Sequence, residues 1–367
     1  MKIFILAGEP SGDEYGAVLM KNLKEKNKSI QFVGIGGDLM SKYGLNSIMS
    51  LNKMSVMGFI EVIKKIYFFY KLQKDIISFI KFEKPDKIIL IDYPGLNLRL
   101  ASKIKAFTNT TIYYYISPQI WAWKENRINK IKKHIDHMIV IFNFELSWYK
   151  KRNLSVKYVG HPFLDIWDKN NNIKFVEKYN LDLSKPILTL FPGSRKQELD
   201  KHLCLFESVA IDLKAKIPSL QILLGLNKNL KLKDKINNKI KVVDDEPLKA
   251  LEIANVAIVA SGTATLQAAI MKTPSVVVYK MNPLSWWFAK KFVRIRYASM
   301  ANIIANKEVF PELIQSKATK KNIYDAVLRL FINKKLIAQL EEDLKEVNIR
   351  IGQKGASKRT AEFILNN

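Results

Sequence analysis

The sequence predicts an α/β protein with two doubly wound, parallel-sheet domains. Short apolar runs rich in Ile and Val alternate with longer amphipathic runs, the pattern of a parallel sheet covered by helices on both faces. The alternation pauses at the polar stretch 165–172, which has the composition of a linker. A chain of 367 residues is long enough for a core on each side of it. Such sheets bind ligands beyond the carboxyl ends of their strands, so we expect the site in a cleft between the domains.

The apolar runs give the predicted strands in chain order. Before the linker they span 2–7, 30–35, 87–91, 111–116, 137–142 and 156–159. After it they span 186–191, 220–224, 240–243, 256–260 and 275–279. The amphipathic runs between them are the predicted helices. We therefore expect an N-terminal domain over 1–165 and a C-terminal domain over 173–345.

Composition narrows the classes of function. The chain has 60 Lys and Arg against 34 Asp and Glu, a formal net charge of +26, and its 48% hydrophobic residues exclude a disordered chain. A single cysteine, Cys204, excludes a disulfide framework and indicates a reducing compartment. The positive charge fits nucleic acid, an anionic membrane surface or a phosphorylated substrate. Only nine basic residues are arginine, which disfavours nucleic acid and predicts that most of the excess is solvated lysine.

Two loops of the first domain carry candidate catalytic groups. The loop 8–13 (GEPSGD) has glycines that allow a tight turn, and its Ser11 or Asp13 is a candidate cap for the next helix. Asp92 ends the apolar run 87–91, where desolvation can raise a carboxylate pKa into the range of a general base. A helix cap is the alternative role for Asp92.

The segment 113–123 (YYYISPQIWAW) packs five aromatic residues around a Ser-Pro-Gln turn. Aromatic faces can bury the apolar side of a sugar while Gln119 bonds its hydroxyls. Core packing is the alternative for the tyrosines. Further along, His161 follows a predicted strand and is a candidate for the architecture of the site.

The second half of the chain contains the stronger sequence evidence for a phosphate-binding site. The loop 192–195 (PGSR) joins a predicted strand to a helix, whose first N–H groups and dipole favour an anion, and Arg195 adds a guanidinium suited to a diphosphate. The segment 260–265 (ASGTAT) repeats this arrangement. Together the two loops predict a site for a nucleotide diphosphate. The motifs of P-loop, dinucleotide and zinc-hydrolase sites are missing from the sequence, as is an Asp-x-Asp pair.

The segment 56–70 (VMGFIEVIKKIYFFY) differs from the predicted core because lysines stand beside a long apolar face. The residues of this face are Phe59, Ile60, Ile63, Ile66, Tyr67 and Tyr70. Such a face is typical of a helix lying in an anionic membrane interface, and a core-facing helix is the alternative. The segment 286–296 has the same aromatic and basic character. With no segment typical of a signal peptide or a membrane span, we expect a peripheral protein that handles an amphiphilic substrate.

Taken together, the motifs resemble the lipid-A-disaccharide synthase family of glycosyltransferases. The resemblance covers nearly the whole chain and rests on the order and spacing of segments 8–13, 56–61, 92–97, 117–123, 160–162, 192–195, 261–266, 302 with 311–315, and 355–357. It implies a GT-B fold, in which two Rossmann-like domains hold the acceptor on the N-terminal side and the nucleotide on the C-terminal side. It also implies a homodimer, in which 346–367 forms a helix packing on the N-terminal domain or on a partner subunit.

The resemblance implies transfer of 2,3-diacylglucosamine from UDP to the 6-hydroxyl of 2,3-diacylglucosamine 1-phosphate with inversion, on the cytoplasmic face of the inner membrane, without metal or cofactor. Asp92 matches the family's general base and Glu9 its partner, while Arg195 and Asn302 match residues tied to UDP. The other expected substrate-binding residues are Gly193, Ser194, Ser261, Gly262, Thr263, Gln267, Ser11, Asn97, Gln119 and His161. The segment 56–70 matches the family's membrane-contacting surface.

Two positions depart from the family pattern. Gln267 stands where the family usually has a glutamate, and an amide accepts from ribose hydroxyls without a charge. Asn143 stands in place of a proline. Two alternatives stay open from the residues alone, namely a related GT-B enzyme with another UDP-sugar and lipid acceptor, and a basic nucleic-acid-binding α/β protein.

Overall fold

The computed structural model describes residues 1–50, 62–167, 172–227, 230, 232, 236–283, 286, 287, 291 and 295–367, and of residues 50 and 62–67 it describes the backbone only. The chain divides into two compact units. Unit 1 contains Met1–Asp168 and Ile351–Asn367, and unit 2 contains Lys169–Arg350.

Unit 1 is built on a parallel sheet of seven strands within the described residues, in the order β3-β2-β1-β4-β5-β6-β7. The strands are β1 (Lys2–Ala7), β2 (Gln31–Gly36), β3 (Leu45–Ser50), β4 (Lys87–Ile91), β5 (Thr111–Tyr115), β6 (His137–Val140) and β7 (Lys157–Tyr158). The helices are α1 (Pro10–Lys26), α2 (Asp38–Lys42), α3 (Val62–Glu83), α4 (Pro94–Ile104), α5 (Ile128–His134), α6 (Asn143–Lys150) and α7 (Phe163–Ile166), with a 3₁₀ turn at Glu125–Arg127.

Unit 2 repeats this design with six parallel strands in the described part of the chain, in the order β10-β9-β8-β11-β12-β13. The strands are β8 (Ile187–Phe191), β9 (Gln221–Gly225), β10 (Ile240–Val243), β11 (Val256–Ala260), β12 (Ser275–Tyr279) and β13 (Glu312–Ile314). The helices are α8 (Ile173–Lys178), α9 (Lys196–Lys216), α10 (Pro247–Glu252), α11 (Thr263–Met271), α12 (Met300–Ala305), α13 (Lys320–Ile332) and α14 (Lys334–Ile351), with a 3₁₀ turn at Gln315–Lys317.

The last helix, α15 (Ala356–Asn366), belongs to unit 1 and packs against α1. Asp165 accepts the backbone N–H groups of Gly355 and Ser357 at 2.5 and 2.7 Å, so its carboxylate caps the start of α15. At the other end, the Lys87 ammonium donates to the carbonyl of Ile364 at 2.7 Å. Residues from both ends of the described chain therefore complete one unit.

Burial explains why the strands are almost continuously apolar. Residues 3–7 of β1 and 88–91 of β4 are 0% exposed, because both lie inside the sheet between layers of helices. Leu72, Ile76 and Ile80 of α3 follow one another at helical spacing and are buried in the same core. The described part of α3 after residue 67 is thus a core-facing helix.

Two strands escaped prediction. β3 has the sequence LNSIMS, in which polar residues interrupt the apolar run, and β13 has only three residues. Both lie at a sheet edge, where one side of the strand has no neighbour in the described sheet. Edge strands need less apolar surface, so their sequences carry a weaker signal.

Candidate active site

The strand order reverses once in each sheet. In unit 1, β1 lies between β2 and β4, and in unit 2, β8 lies between β9 and β11. Open parallel sheets bind ligands at such switch points, beyond the carboxyl ends of the strands. The loops after β1 and β4 carry Glu9 and Asp92, and the loops after β8 and β11 carry 192–195 and 261–263. Four loops that the sequence indicates therefore lie at the two switch points.

Asp92 follows β4 directly and lies in a strained turn. Asp92 and Tyr93 both have a left-handed backbone, with φ of 43° and 46°, which is costly for residues with a Cβ. The N–H of Asp92 donates to the carbonyl of Tyr115 at 2.9 Å. Its carbonyl accepts from Asn97 Nδ2 at 2.7 Å and from the Tyr114 hydroxyl at 2.5 Å. These three bonds, here called the Asp92 clamp, fix the backbone from which the carboxylate projects.

The surroundings of Asp92 suit a proton acceptor. Burial and, to a smaller extent, the negative charge of Glu9 raise the pKa of Asp92 to about 7, even though a hydrogen bond from the Tyr93 backbone lowers it. A carboxyl group with such a pKa is about half ionised at neutral pH, and its ionised form is basic enough to take a proton from a hydroxyl. The structure thus brings Glu9 and Asp92 together electrostatically.

The loop after β1 packs directly on the turn after β4. A Cβ at Gly8 would lie 2.4 Å from the Tyr93 ring, so only glycine fits there. Glu9 is the residue before the first turn of α1, and Ser11 lies half-buried within that turn. The close approach of Gly8 to Tyr93 explains how Glu9 comes within electrostatic range of Asp92.

Asp13 has a different role from the one expected. It lies inside α1, and its carboxylate accepts the N–H groups of Gly37, Leu39 and Met40 at 2.8, 3.1 and 3.0 Å. The expectation that Asp13 caps the helix after loop 8–13 is therefore wrong, because it caps α2, the following helix.

Asn97 is 0% exposed. Its Nδ2 donates to the carbonyls of Ile91 and Asp92 at 3.1 and 2.7 Å. The Asn97 amide nitrogen thus holds the turn that carries the candidate base. Its Oδ1 is buried and has no hydrogen-bond partner among the described residues, so a role of Asn97 in substrate binding stays a prediction.

The aromatic segment divides into core and surface. Tyr113, Tyr114 and Tyr115 are each 0% exposed, so they pack in the core and do not wall a sugar site. Gln119 is exposed, and Trp123 is 42% exposed. A role for Gln119 in sugar binding stays a prediction.

His161 is only 4% exposed and is held in the core of unit 1. Its Nδ1 accepts the N–H of Phe163 at 3.1 Å, and its ring meets the Tyr15 ring edge-on at 5.9 Å. Burial lowers the pKa of His161 to about 3, so the ring is neutral at physiological pH. Because Nδ1 accepts, the ring proton is on Nε2. A role for His161 in the site stays a prediction.

The loop after β8 is shaped by a glutamate. Gly193 has φ of 128°, and a Cβ there would lie 2.4 Å from the Glu198 side chain. The Glu198 carboxylate accepts the N–H groups of Ser194 and Arg195 at 3.0 and 3.3 Å. The expectation of unpaired N–H groups at this helix start is therefore wrong for these two, since a side-chain anion already occupies them. The Arg195 side chain is exposed, as a phosphate-binding guanidinium must be.

The loop after β11 is open. Gly262 has φ of 133°, and a Cβ there would meet nothing within 4 Å. Gly262 and Thr263 are exposed at the start of α11, where a helix leaves N–H groups without intrahelical partners. Ser261 donates its hydroxyl to the carbonyl of Ala298 at 2.9 Å, which ties this loop to the segment before α12. Gln267 is half-buried one turn further along α11.

Asn302 is 0% exposed, and its side chain has no capacity left for a ligand. Its Oδ1 accepts the N–H groups of Val309 and Phe310, both at 2.8 Å. Its Nδ2 donates to the carbonyl of Phe310 and to the Glu312 carboxylate, also at 2.8 Å. The expectation that the Asn302 side chain contacts UDP is therefore corrected. It fixes the chain between α12 and β13.

Three residues that shape the candidate site are not among the residues predicted from the sequence. They are Glu198, His202 and Glu312. Glu198 had a usable signal, because a glutamate three residues after a helix cap is the capping-box spacing. Glu312 accepts from the N–H groups of Ala298 and Ser299, which are far from it in sequence. No local sequence pattern predicts that the Glu312 carboxylate bonds these two N–H groups.

The predicted membrane-contacting face is only partly described. Phe59 and Ile60 lie outside the described residues, as do the side chains of Ile63, Ile66 and Tyr67. Tyr70 is 54% exposed. Within the described chain, no helix is both long and apolar enough to cross a membrane. No cluster of three or more metal-ligating side chains occurs among the described residues.

Known structures share this fold over the whole chain. UDP-GlcNAc 2-epimerase from Neisseria meningitidis, solved with UDP-GlcNAc, superimposes with a TM-score of 0.70 at 12% identity, covering 100% of both chains. The calicheamicin glycosyltransferase CalG4 gives 0.63 at 12% identity, covering 100% of this chain and 98% of its own. Two Rossmann-like units of this kind define the GT-B class of glycosyltransferase folds.

Sequence relatives narrow the class to one family. The family model for lipid-A-disaccharide synthetase matches residues 3–366. The lipid-A-disaccharide synthase of Coxiella burnetii (strain CbuK_Q154) is 35% identical, covering 99% of this chain and 98% of its own length. That of Myxococcus xanthus is 32% identical, covering 99% and 97%. The chain belongs to the lipid-A-disaccharide synthase family and is a glycosyltransferase of lipid A biosynthesis.

Proposed function

We propose that this chain joins UDP-2,3-diacylglucosamine to 2,3-diacylglucosamine 1-phosphate, giving the β-1,6 disaccharide 1-phosphate and UDP. The observation that supports it most is Asp92, a carboxylate with a pKa of about 7 on a clamped turn at a switch point. In the proposed step Asp92 takes the proton of the acceptor 6-hydroxyl. The hydroxyl oxygen attacks the anomeric carbon from the face opposite UDP, and UDP leaves with the bonding electron pair.

The donor side is proposed to act through charge. Arg195 and the exposed start of α11 at Gly262 and Thr263 are suited to the diphosphate, on which negative charge grows as the bond to UDP breaks. Ser194 and Gln267 are proposed to contact the phosphates and the ribose, with Gly193 and Ser261 shaping the two loops. With cationic and dipolar groups in place, we expect the reaction to need no metal or cofactor.

The test is turnover of purified protein with both acylated substrates, following UDP release and disaccharide formation. Asp92→Asn keeps the shape of the side chain and removes the base, so we expect the rate to fall by about 100-fold or more. Asp86→Asn, an exposed residue just before the opposite end of β4, is the matched control and should leave the rate unchanged. Near-normal turnover by folded Asp92→Asn would exclude Asp92 as the base.

We also propose that the protein works as a peripheral protein on the cytoplasmic face of the inner membrane. Tyr70 supports this proposal, because its ring is exposed and the ammonium groups of Lys74 and Lys103 lie 5.6 and 5.8 Å from its centre. Tyr70→Ser should weaken sedimentation with anionic vesicles, whereas Ile332→Ser, at an exposed apolar residue of unit 2, should not. Equal vesicle binding by both variants would mean that Tyr70 has no specific role in membrane binding.

The family resemblance further leads us to propose a homodimer. Light scattering at micromolar concentration measures the mass in solution directly. A mass of one chain contradicts the proposal.

A further inference from the structure

His202 is a buried imidazole on α9 that the proposed reaction does not use. It is 0% exposed, and both ring nitrogens have backbone partners. Nδ1 lies 2.8 Å from the carbonyl of Pro192, and Nε2 accepts the N–H of Lys280 at 2.9 Å. Since Nε2 accepts, Nδ1 must carry the proton and donate to Pro192. The neutral ring thus fits only one arrangement of its two partners.

The two partners of His202 lie in different loops of unit 2. Pro192 opens the loop after β8, and Lys280 follows the end of β12. In the sheet, β8 and β12 are the two neighbours of β11, whose end carries Ser261 and the start of α11. His202 therefore ties together the strand ends on both sides of the second candidate phosphate loop.

Arg195 comes close to the same point. The Tyr279 ring lies 5.5 Å from the His202 ring, and the charge of Arg195 acts on the Tyr279 hydroxyl. On the other side of the loop, Glu198 holds the N–H groups of Ser194 and Arg195. Glu198 and His202 are four residues apart on α9, so they act from one face of the helix. Between them they hold the loop at its first residue and at its last.

We propose that His202 is a positioning residue for the UDP diphosphate, which holds the loop 192–195 against the end of β12 so that Arg195 is aligned before the donor binds. The inference rests on the proposed role of this loop in donor binding. An apolar ring of similar size would fill the same volume, so packing alone does not require an imidazole here. What the imidazole adds is one donor and one acceptor, each bonded to a different strand-end loop.

The test is UDP affinity by calorimetry together with KM and kcat for the UDP-sugar. His202→Phe keeps a ring and removes both bonds, and we expect the Kd for UDP and the KM for the donor to rise about tenfold with a smaller change in kcat. His202→Gln should restore most of the affinity, because its amide also offers one donor and one acceptor. Unchanged UDP affinity in folded His202→Phe would overturn the inference.

The matched control is Phe206→Leu. Phe206 is fully buried, and its ring stacks on His202 at 5.7 Å without taking part in either backbone bond. We expect this variant to lower the thermal unfolding temperature while UDP affinity is kept. If it weakens UDP binding as much as His202→Phe does, His202 is a packing residue and the inference fails.

Two further measurements separate the possible failures. If Arg195→Ala leaves UDP affinity unchanged, the proposed role of the loop is wrong. If Arg195→Ala weakens binding and His202→Phe does not, only the positioning role is wrong. If His202→Phe does not fold, hydrogen exchange of the wild-type protein tests the inference instead. We then expect UDP to slow amide exchange at 193–195 and at Lys280 together. If UDP slows amide exchange at 193–195 but not at Lys280, the proposed link through His202 between the two loops is wrong.

Discussion

At the scale of single residues, three hydrogen bonds hold the backbone of Asp92 in place. Two successive left-handed residues cost free energy, and the Asp92 clamp compensates by satisfying both backbone polar groups of Asp92. A base on such a turn has little conformational freedom to lose when the acceptor arrives. The strain is therefore part of what prepares the site.

Removing one bond of the clamp tests this idea. Tyr114→Phe deletes the hydroxyl that donates to the Asp92 carbonyl, and we expect kcat to fall about tenfold with KM for the acceptor little changed. Tyr113→Phe is the matched control, because its hydroxyl bonds the carbonyl of Ile364 instead. Equal kcat values for the two variants would show that the clamp has no catalytic effect.

The Glu9 charge sets a second prediction. Asp92 acts as a base only when ionised, so the rate should fall as pH drops through its pKa of about 7. Glu9→Gln removes a negative charge that raises the pKa of Asp92, so the acidic limb of the pH–rate profile should move to lower pH. Glu25→Gln, an exposed carboxylate further along α1, is the control. A limb that stays in place in Glu9→Gln would mean that another group controls the rate.

Residue types proved easier to predict than residue roles. A carboxylate at a strand end is visible in the sequence as Asp92, and the turn glycines around it are visible too. Asn97 and Asn302 look like ligand-binding amides in sequence, but both are 0% exposed and bonded to backbone. Burial depends on contacts between distant segments, which the local pattern does not contain.

At the scale of elements, the alternation of apolar and amphipathic runs predicts the interior strands well, because interior strands must be apolar along their whole length. The edge strands β3 and β13 could not be predicted from the local sequence, because only their pairing with a neighbouring strand identifies them. The segment 56–70 shows a different difficulty, since an amphipathic helix has the same period whether it faces a core or a membrane. Its continuation at Leu72, Ile76 and Ile80 faces the core.

The cap of α15 yields a prediction about stability. Asp165→Ala leaves the N–H groups of Gly355 and Ser357 without their acceptor, so we expect a loss of about 1–2 kcal/mol in the free energy of unfolding. Chemical denaturation measures it. Glu362→Gln breaks only a half-exposed ion pair with Lys26 on α1 and should cost at most about 0.5 kcal/mol. Similar losses in both variants would mean that the cap contributes little.

At the scale of the whole molecule, the net charge of +26 has a narrower meaning than it first suggests. Several lysines pair with carboxylates, as Lys307 does with Asp343 and Glu346. The proposed substrates are anionic lipids, and a positive field raises their local concentration at the protein surface. The positive net charge is thus consistent with the proposed anionic substrates and does not require nucleic acid as a partner.

The place of α15 has a consequence for synthesis of the protein. α1 is synthesised long before α15, the helix that covers part of it. Until residues 356–366 emerge, that surface of α1 stays open, so nascent chains and truncated products expose it to chaperones and proteases. Unit 1 can therefore complete its fold only after α15 has been made.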